Sequence, residues 1–201
     1  MTRNIKKLFM SYRLALIIAL AAFLGACAHP IMISPLKTPA RNDTFFSSKK
    51  AAYVMTNADR NKEVTSDGGG GDKVTYFPYR DLEKAIRDAL HAVYSDVFVI
   101  KSSSDANAIQ EHDISFVFVP EISTSSNSNS AFTWPPTQFT IDLSCYVTDP
   151  VGNMISRIRV VGIGAAEFSE FKADFGLAGR RAASELSEKL KQEIVSNSRL
   201  R

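Results

Sequence analysis

Cysteine, histidine and tryptophan are scarce in this chain of 201 residues, at two, three and one respectively. Two cysteines cannot build a disulfide-rich scaffold or a four-thiolate zinc site, and no Cys pair stands at metal-binding spacing. A His-Glu-x-x-His zinc helix, a Gly-x-Ser-x-Gly nucleophile elbow and a calcium-loop pattern are all missing. Long hydrophobic runs are missing too. The longest, residues 14–24, covers only about half of the roughly 20 residues that a bilayer-crossing helix needs. The sequence therefore calls for no metal and no cofactor, and it offers no membrane span.

The apolar run follows Arg3, Lys6, Lys7 and Arg13, with no acid among the first thirteen residues. A basic start, a short apolar stretch and a small-residue end make residues 1–26 a secretory signal peptide. The run closes on Leu24-Gly25-Ala26-Cys27, which resembles a bacterial lipobox. That resemblance implies diacylation of Cys27, cleavage before it, and acylation of the new amine. Several acyl chains give stable anchoring where one gives marginal binding, because each buried methylene contributes about 0.8 kcal/mol. The competing reading is an ordinary secretory signal cut at an Ala-x-Ala-like site, with Cys27 a plain thiol. Ala28, rather than Asp, follows the cysteine, and by resemblance to the enteric sorting scheme this implies an outer-membrane address facing the periplasm.

Losing the signal removes four of 24 basic side chains and none of the 21 acidic ones, so the formal charge of the remainder is −1. The apparent basicity belongs to the targeting segment, and no polybasic patch remains for nucleic acid. With Cys27 lipidated, Cys145 has no disulfide partner. It lies on the apolar side of an alternating run with Phe139, Ile141, Leu143 and Val147, as a small buried hydrophobe does.

Prolines 30, 35 and 39 make residues 27–48 an expected extended tether, with brief pairing near Ile31–Ile33, leaving residues 49–201 as the globular domain. Strands are expected at 50–56, 74–77, 97–100 and 114–119, the last ending at Pro120. Residues 138–148 and 154–165 flank the Asp149-Pro-Val-Gly-Asn153 turn of a hairpin. Leu82, Ile86, Leu90 and Val93 mark an amphipathic helix over 81–94, and Ala178, Ala182, Leu186, Leu190 and Ile194 mark another over 174–196. The remaining stretches, including 57–73 with its Gly68–Gly71 run, the Ser-rich 101–106, and 124–136, read as loops. The expected architecture is one α+β domain, a largely antiparallel sheet with both helices on one face.

Chemistry-bearing patterns are few. Gly68–Gly71 lacks the following Lys-Ser/Thr and helix of a phosphate loop, and Gly162-Ile-Gly164-Ala-Ala-Glu167 lacks the strand-to-helix turn of a dinucleotide site. The consecutive Glu111-His112-Asp113 reads as a solvated loop. Arg157 and Arg159 share one strand face, and with Arg180 and Arg181 they could meet phosphate or an acidic partner, although solvated charge is their ordinary role. The exception is the aromatic pair Phe132 and Trp134, either a lid on one end of the core or a contact for a partner or membrane interface.

Residues 27–35 (Cys-Ala-His-Pro-Ile-Met-Ile-Ser-Pro), the Arg80-Asp-Leu-x-x-Ala-Ile-x-x-Ala-Leu helix, the Val147–Gly152 turn and the Ala/Leu-rich last helix resemble the YajG-like family of envelope lipoproteins. More distantly, the element order is similar to LptE-like lipoproteins and to auxiliary lipoproteins of lipid-transporting ABC systems. The resemblance implies a non-enzymatic, lipid-anchored envelope protein that assists assembly or maintenance through a protein partner. The alternative it leaves is an accessory that binds lipid or lipopolysaccharide; an envelope hydrolase is the remotest reading.

Overall fold

The computed structural model describes residues 28–41, 46–129, 135–171 and 174–200. Its centre is a five-stranded sheet in the order β5-β2-β6-β7-β8, formed by β2 (Ser47–Val54), β5 (Tyr94–Ile100), β6 (Phe116–Asn127), β7 (Gln138–Thr148) and β8 (Met154–Ala165). The β6–β7 and β7–β8 pairings are antiparallel and run the full length of the strands, whereas β5–β2 and β2–β6 are parallel and shorter. A second sheet, in the order β1-β4-β3, is built from β1 (Ala28–Pro30), β3 (Val64–Asp67) and β4 (Lys73–Tyr76). Two long helices, α2 (Pro78–His91) and α4 (Leu177–Ser196), cover one face of the large sheet. The fold is thus the expected α+β domain.

Alternation explains the hairpin. In β7, Phe139, Ile141, Leu143, Cys145 and Val147 are buried while the residues between them are half-exposed. Leu82, Ile86 and Leu90 of α2 and Leu186, Leu190 and Ile194 of α4 fill the same core, each contributing about 1.5–3 kcal/mol by burial. Gly162 and Gly164 let α4 approach β8: a Cβ at Gly164 would stand 1.9 Å from the Ala178 carbonyl oxygen. The Ser187 hydroxyl, buried between the helices, donates to the Ala85 carbonyl at 2.8 Å. A smaller cluster on the opposite sheet face, with Ala52, Ile100 and Val117, lies under Ile109 of the short helix α3 (Ala106–Glu111).

Several sequence expectations need correction. Residues 57–73 are not one loop: they hold α1 (Asn57–Arg60), capped by Thr56, and β3, which turns through Gly68–Gly71 into β4. Residues 106–111, beyond the Ser-rich stretch, are helical because Asp105 caps the Ala108 amide. Helix α2 starts at Pro78, which occupies the first turn, where a missing N–H costs nothing. Strand β6 passes through Pro120 to Asn127. The Ile122 N–H donates to the Tyr79 hydroxyl rather than to β7, so the same side of residue 120 needs no ladder donor, and proline is tolerated there.

The expected tether is also corrected. Residues 28–41 do not stand away from the domain but lie along it as a strap. Beyond β1, the Ile31 N–H donates to Thr75 O at 2.9 Å and the Ile33 N–H to the Asp81 carboxylate at 3.4 Å. Further along, the Leu36 N–H meets the Ser184 hydroxyl at 2.8 Å, and Arg180 and Lys191 donate to the carbonyls of Ser34 and Ala40. Ile33, Pro35 and Pro39 are buried between α2 and α4. Proline removes a donor that would need a partner there, which is how a polyproline composition fits a docked groove as well as a linker.

Candidate functional site

Strand register gathers the chain's special features at one end of the domain. Strand β1 runs parallel to β4 with Ala28 opposite Lys73, the first residue after the Gly68–Asp72 turn. The Ser126 hydroxyl, near the end of β6, donates to Asp67 O at 2.6 Å and meets the Ser66 hydroxyl at the same distance. The glycine turn and the end of β6 consequently share a shallow depression whose walls are residues 67–72, Ser128 and Asn129. Asn129 also borders a second one with Gln138 at the start of β7, Ala165 at the end of β8 and Phe168 just past it. Because Gly164 contacts Ala178, the N-terminus of α4 belongs to this end as well.

Of the residues singled out from the sequence, Cys27, Phe132 and Trp134 lie outside the described residues. Their attachment points do not. Cys27 directly precedes Ala28 of β1, and the segment with Phe132 and Trp134 leaves at Asn129 and re-enters at Pro135. The Asn129 N–H donates to the Thr137 hydroxyl at 3.3 Å, closing the base of that segment. Large apolar side chains are exposed at this end, among them Met32 at 61%, Phe168 at 70% and Phe175 at 45%, with Ile163 of β8 nearby at 60%. The first three sit on different elements: the strap, a 3₁₀ turn at Phe168–Glu170, and the lead into α4. Sequence reasoning passed over all three, since no periodic signal marks an apolar residue in a turn as exposed.

The titratable groups are engaged elsewhere. Arg159 grips Asp142 across the strands, Nε to Oδ1 at 3.0 Å, and this guanidinium holds the carboxyl below its ordinary value. Arg157 lies over the Tyr146 ring at 4.9 Å. Glu170 takes two hydrogen bonds from Arg181, with a further one from the Glu167 N–H, and is lowered to about 2. Glu83 accepts from Arg60 at 2.7 and 2.8 Å and from the Tyr53 hydroxyl at 3.0 Å, joining α1, α2 and β2. Burial pushes the Cys145 thiol up to about 12, so it is an inert core side chain. His112 stacks on Phe98 at 4.3 Å, while Asp113 points away toward Lys50. Among the described residues, no three His, Cys, Asp or Glu side chains gather to hold a metal, and no helix is long and apolar enough to cross a membrane.

No protein-family model matches the sequence, and neither does any curated protein. Solved structures do share its shape. Protein XCC0632 from Xanthomonas campestris, of family DUF330, superposes with a TM-score of 0.53 at 10% identity, covering 82% of this chain and 95% of that one. The PelC dodecamer from Paraburkholderia phytofirmans gives 0.39 at 11% identity, over 76% and 94% of the two chains. A candidate lipoprotein from Caulobacter crescentus gives 0.34 at 14%, over 66% and 86%. At these identities the Xanthomonas likeness is one of fold.

Proposed function

We propose that this protein is a non-enzymatic lipoprotein, anchored through acylated Cys27 to the outer membrane on its periplasmic side, which assists envelope assembly or maintenance by contacting another envelope protein. The observation that carries this reading is the continuity of anchor and fold: the strand Ala28–Pro30 begins on the residue after the lipobox cysteine. The YajG-like resemblance of residues 27–35 and of α2 supports the same assignment.

Membrane fractionation of a Cys27→Ala protein tests the anchor, with release from the outer membrane expected and retention counting against it. Photocrosslinking in cells from position 134 tests the partner: one specific adduct is expected. Mass spectrometry of the delipidated domain separates the protein-contact role from lipid carriage, because a stoichiometric copurifying lipid would replace the first role with the second.

A further inference from the structure

We infer that the end of the domain bearing Met32 and Phe168 is a docking surface for the interfacial layer of a lipid bilayer, the same bilayer that holds the acyl chains of Cys27. The inference rests on that lipidation and goes beyond it, since an anchor on a slack tether would leave the domain's orientation open. Here there is no slack. Ala28 is already paired with Lys73 in β1, and the Ile31 N–H is bonded to Thr75 O. Consecutive Cα atoms are about 3.8 Å apart, so an acylated residue 27 holds this end of the domain against the headgroups.

What this end presents suits that position. Met32 and Phe168 stand out on two separate elements at the end where residue 27 attaches, whereas single exposed apolar side chains scattered over a surface would mean nothing. Aromatic side chains favour the boundary between headgroups and acyl chains. The charge nearby is not cationic: Asp67, Asp72 and Glu167 accompany Lys73, and Arg181 is neutralised by Glu170. Docking is therefore apolar, without a requirement for anionic lipid. Val151 and Met154 are also exposed, but they lie at the hairpin turn at the opposite end of β7 and β8, roughly 30 Å away along strands that rise about 3.3 Å per residue, where no acyl chain is attached. Val151 serves as the internal reference.

Since Cys145 is buried, a cysteine placed at 32, 168 or 151 is the only thiol in the acylated protein open to a fluorescent label. The processed full chain is inserted into phosphatidylcholine vesicles with brominated acyl chains. Quenching at 32 and 168 should exceed that at 151 by roughly twofold or more, and it should persist when salt is raised from about 0.05 to about 0.5 M, which screens electrostatic attraction. Equal quenching at 168 and 151, in protein whose mass confirms acyl chains on Cys27, overturns the docking surface while leaving the anchor intact. Crosslinking of position 168 in cells to a protein instead of lipid overturns it as well. A mass without acyl chains overturns the anchor, and the docking surface with it.

Discussion

Gly176 backs onto the carbonyl oxygen of Met32 so closely that a Cβ at position 176 would stand 2.0 Å from it. Three residues on, a Cβ at Gly179 would meet the Ile33 side chain at 2.3 Å. Gly176, which caps α4, and Gly179 in its first turn thus make room for the strap. Gly176→Ala should push the strap outward and cost about 1–3 kcal/mol, the usual range for overpacking. Hydrogen exchange read by mass spectrometry should show faster exchange at Ile31–Leu36 than in β7. Ser184→Ala, which removes the hydroxyl accepting the Leu36 N–H, should loosen the same segment by about 1 kcal/mol.

Close packing of α4 on β8 makes a sharper demand. At Gly164 an added Cβ would meet Ala178 O at 1.9 Å and Ala182 N at 2.5 Å, all helix backbone that cannot rotate aside. Gly164→Ala should therefore cost about 3 kcal/mol or more. Gly71→Ala provides the contrast, for it has open space and a φ of +88°, and only a backbone penalty of about 1–2 kcal/mol applies. Urea midpoints of the two variants should rank accordingly.

Acid should weaken the protein partly through Glu83. Two hydrogen bonds from Arg60, then one from Tyr53, hold its carboxyl below the ordinary value. The unfolded chain takes up that proton first as pH falls. The contribution is complete above the unfolded pKa of about 4.3 and disappears as pH drops through the lower folded value. A Glu83→Gln protein should be less stable at pH 6 and should lose less than the parent on going to pH 3, as read by urea midpoints. Asp81 has the opposite sign. Burial raises its carboxyl, so it favours the fold below its unfolded pKa and loses that contribution as pH rises through the folded value.

The outer edge of β8 would otherwise offer a row of backbone groups for another strand to pair with. Side chains of α4 occupy it: Glu185 accepts from the Ile163 N–H, Lys189 donates to Val161 O, and Arg181 donates to Ala165 O. A Glu185→Ala, Lys189→Ala double variant should uncover the edge and promote self-association. Sedimentation should show a concentration-dependent dimer that the parent does not form.

Helices and the β7–β8 hairpin were legible because their patterns are local. Leu82, Ile86 and Leu90 repeat at helical spacing, and β7 alternates without a fault from Phe139 to Val147. The strap was not legible, because its composition is that of a linker. Nothing within residues 31–40 announces that Ser184 and Lys191, about 150 positions later, will bond to them. Pro120 misled for a related reason. Whether a proline ends a strand depends on which side its missing N–H would face, and here that side was settled by Tyr79 on a different element. The exposed Phe168 and Met32 became visible only when register brought β1, β6 and β8 to a common end.

The strap also makes the fold close late. Its partners Arg180, Ser184 and Lys191 lie about 150 positions further along the chain, so the groove that receives residues 34–40 is incomplete until α4 has settled on β8. The segment after β1 and the long helix α4 therefore secure each other, and neither keeps its seat without the other.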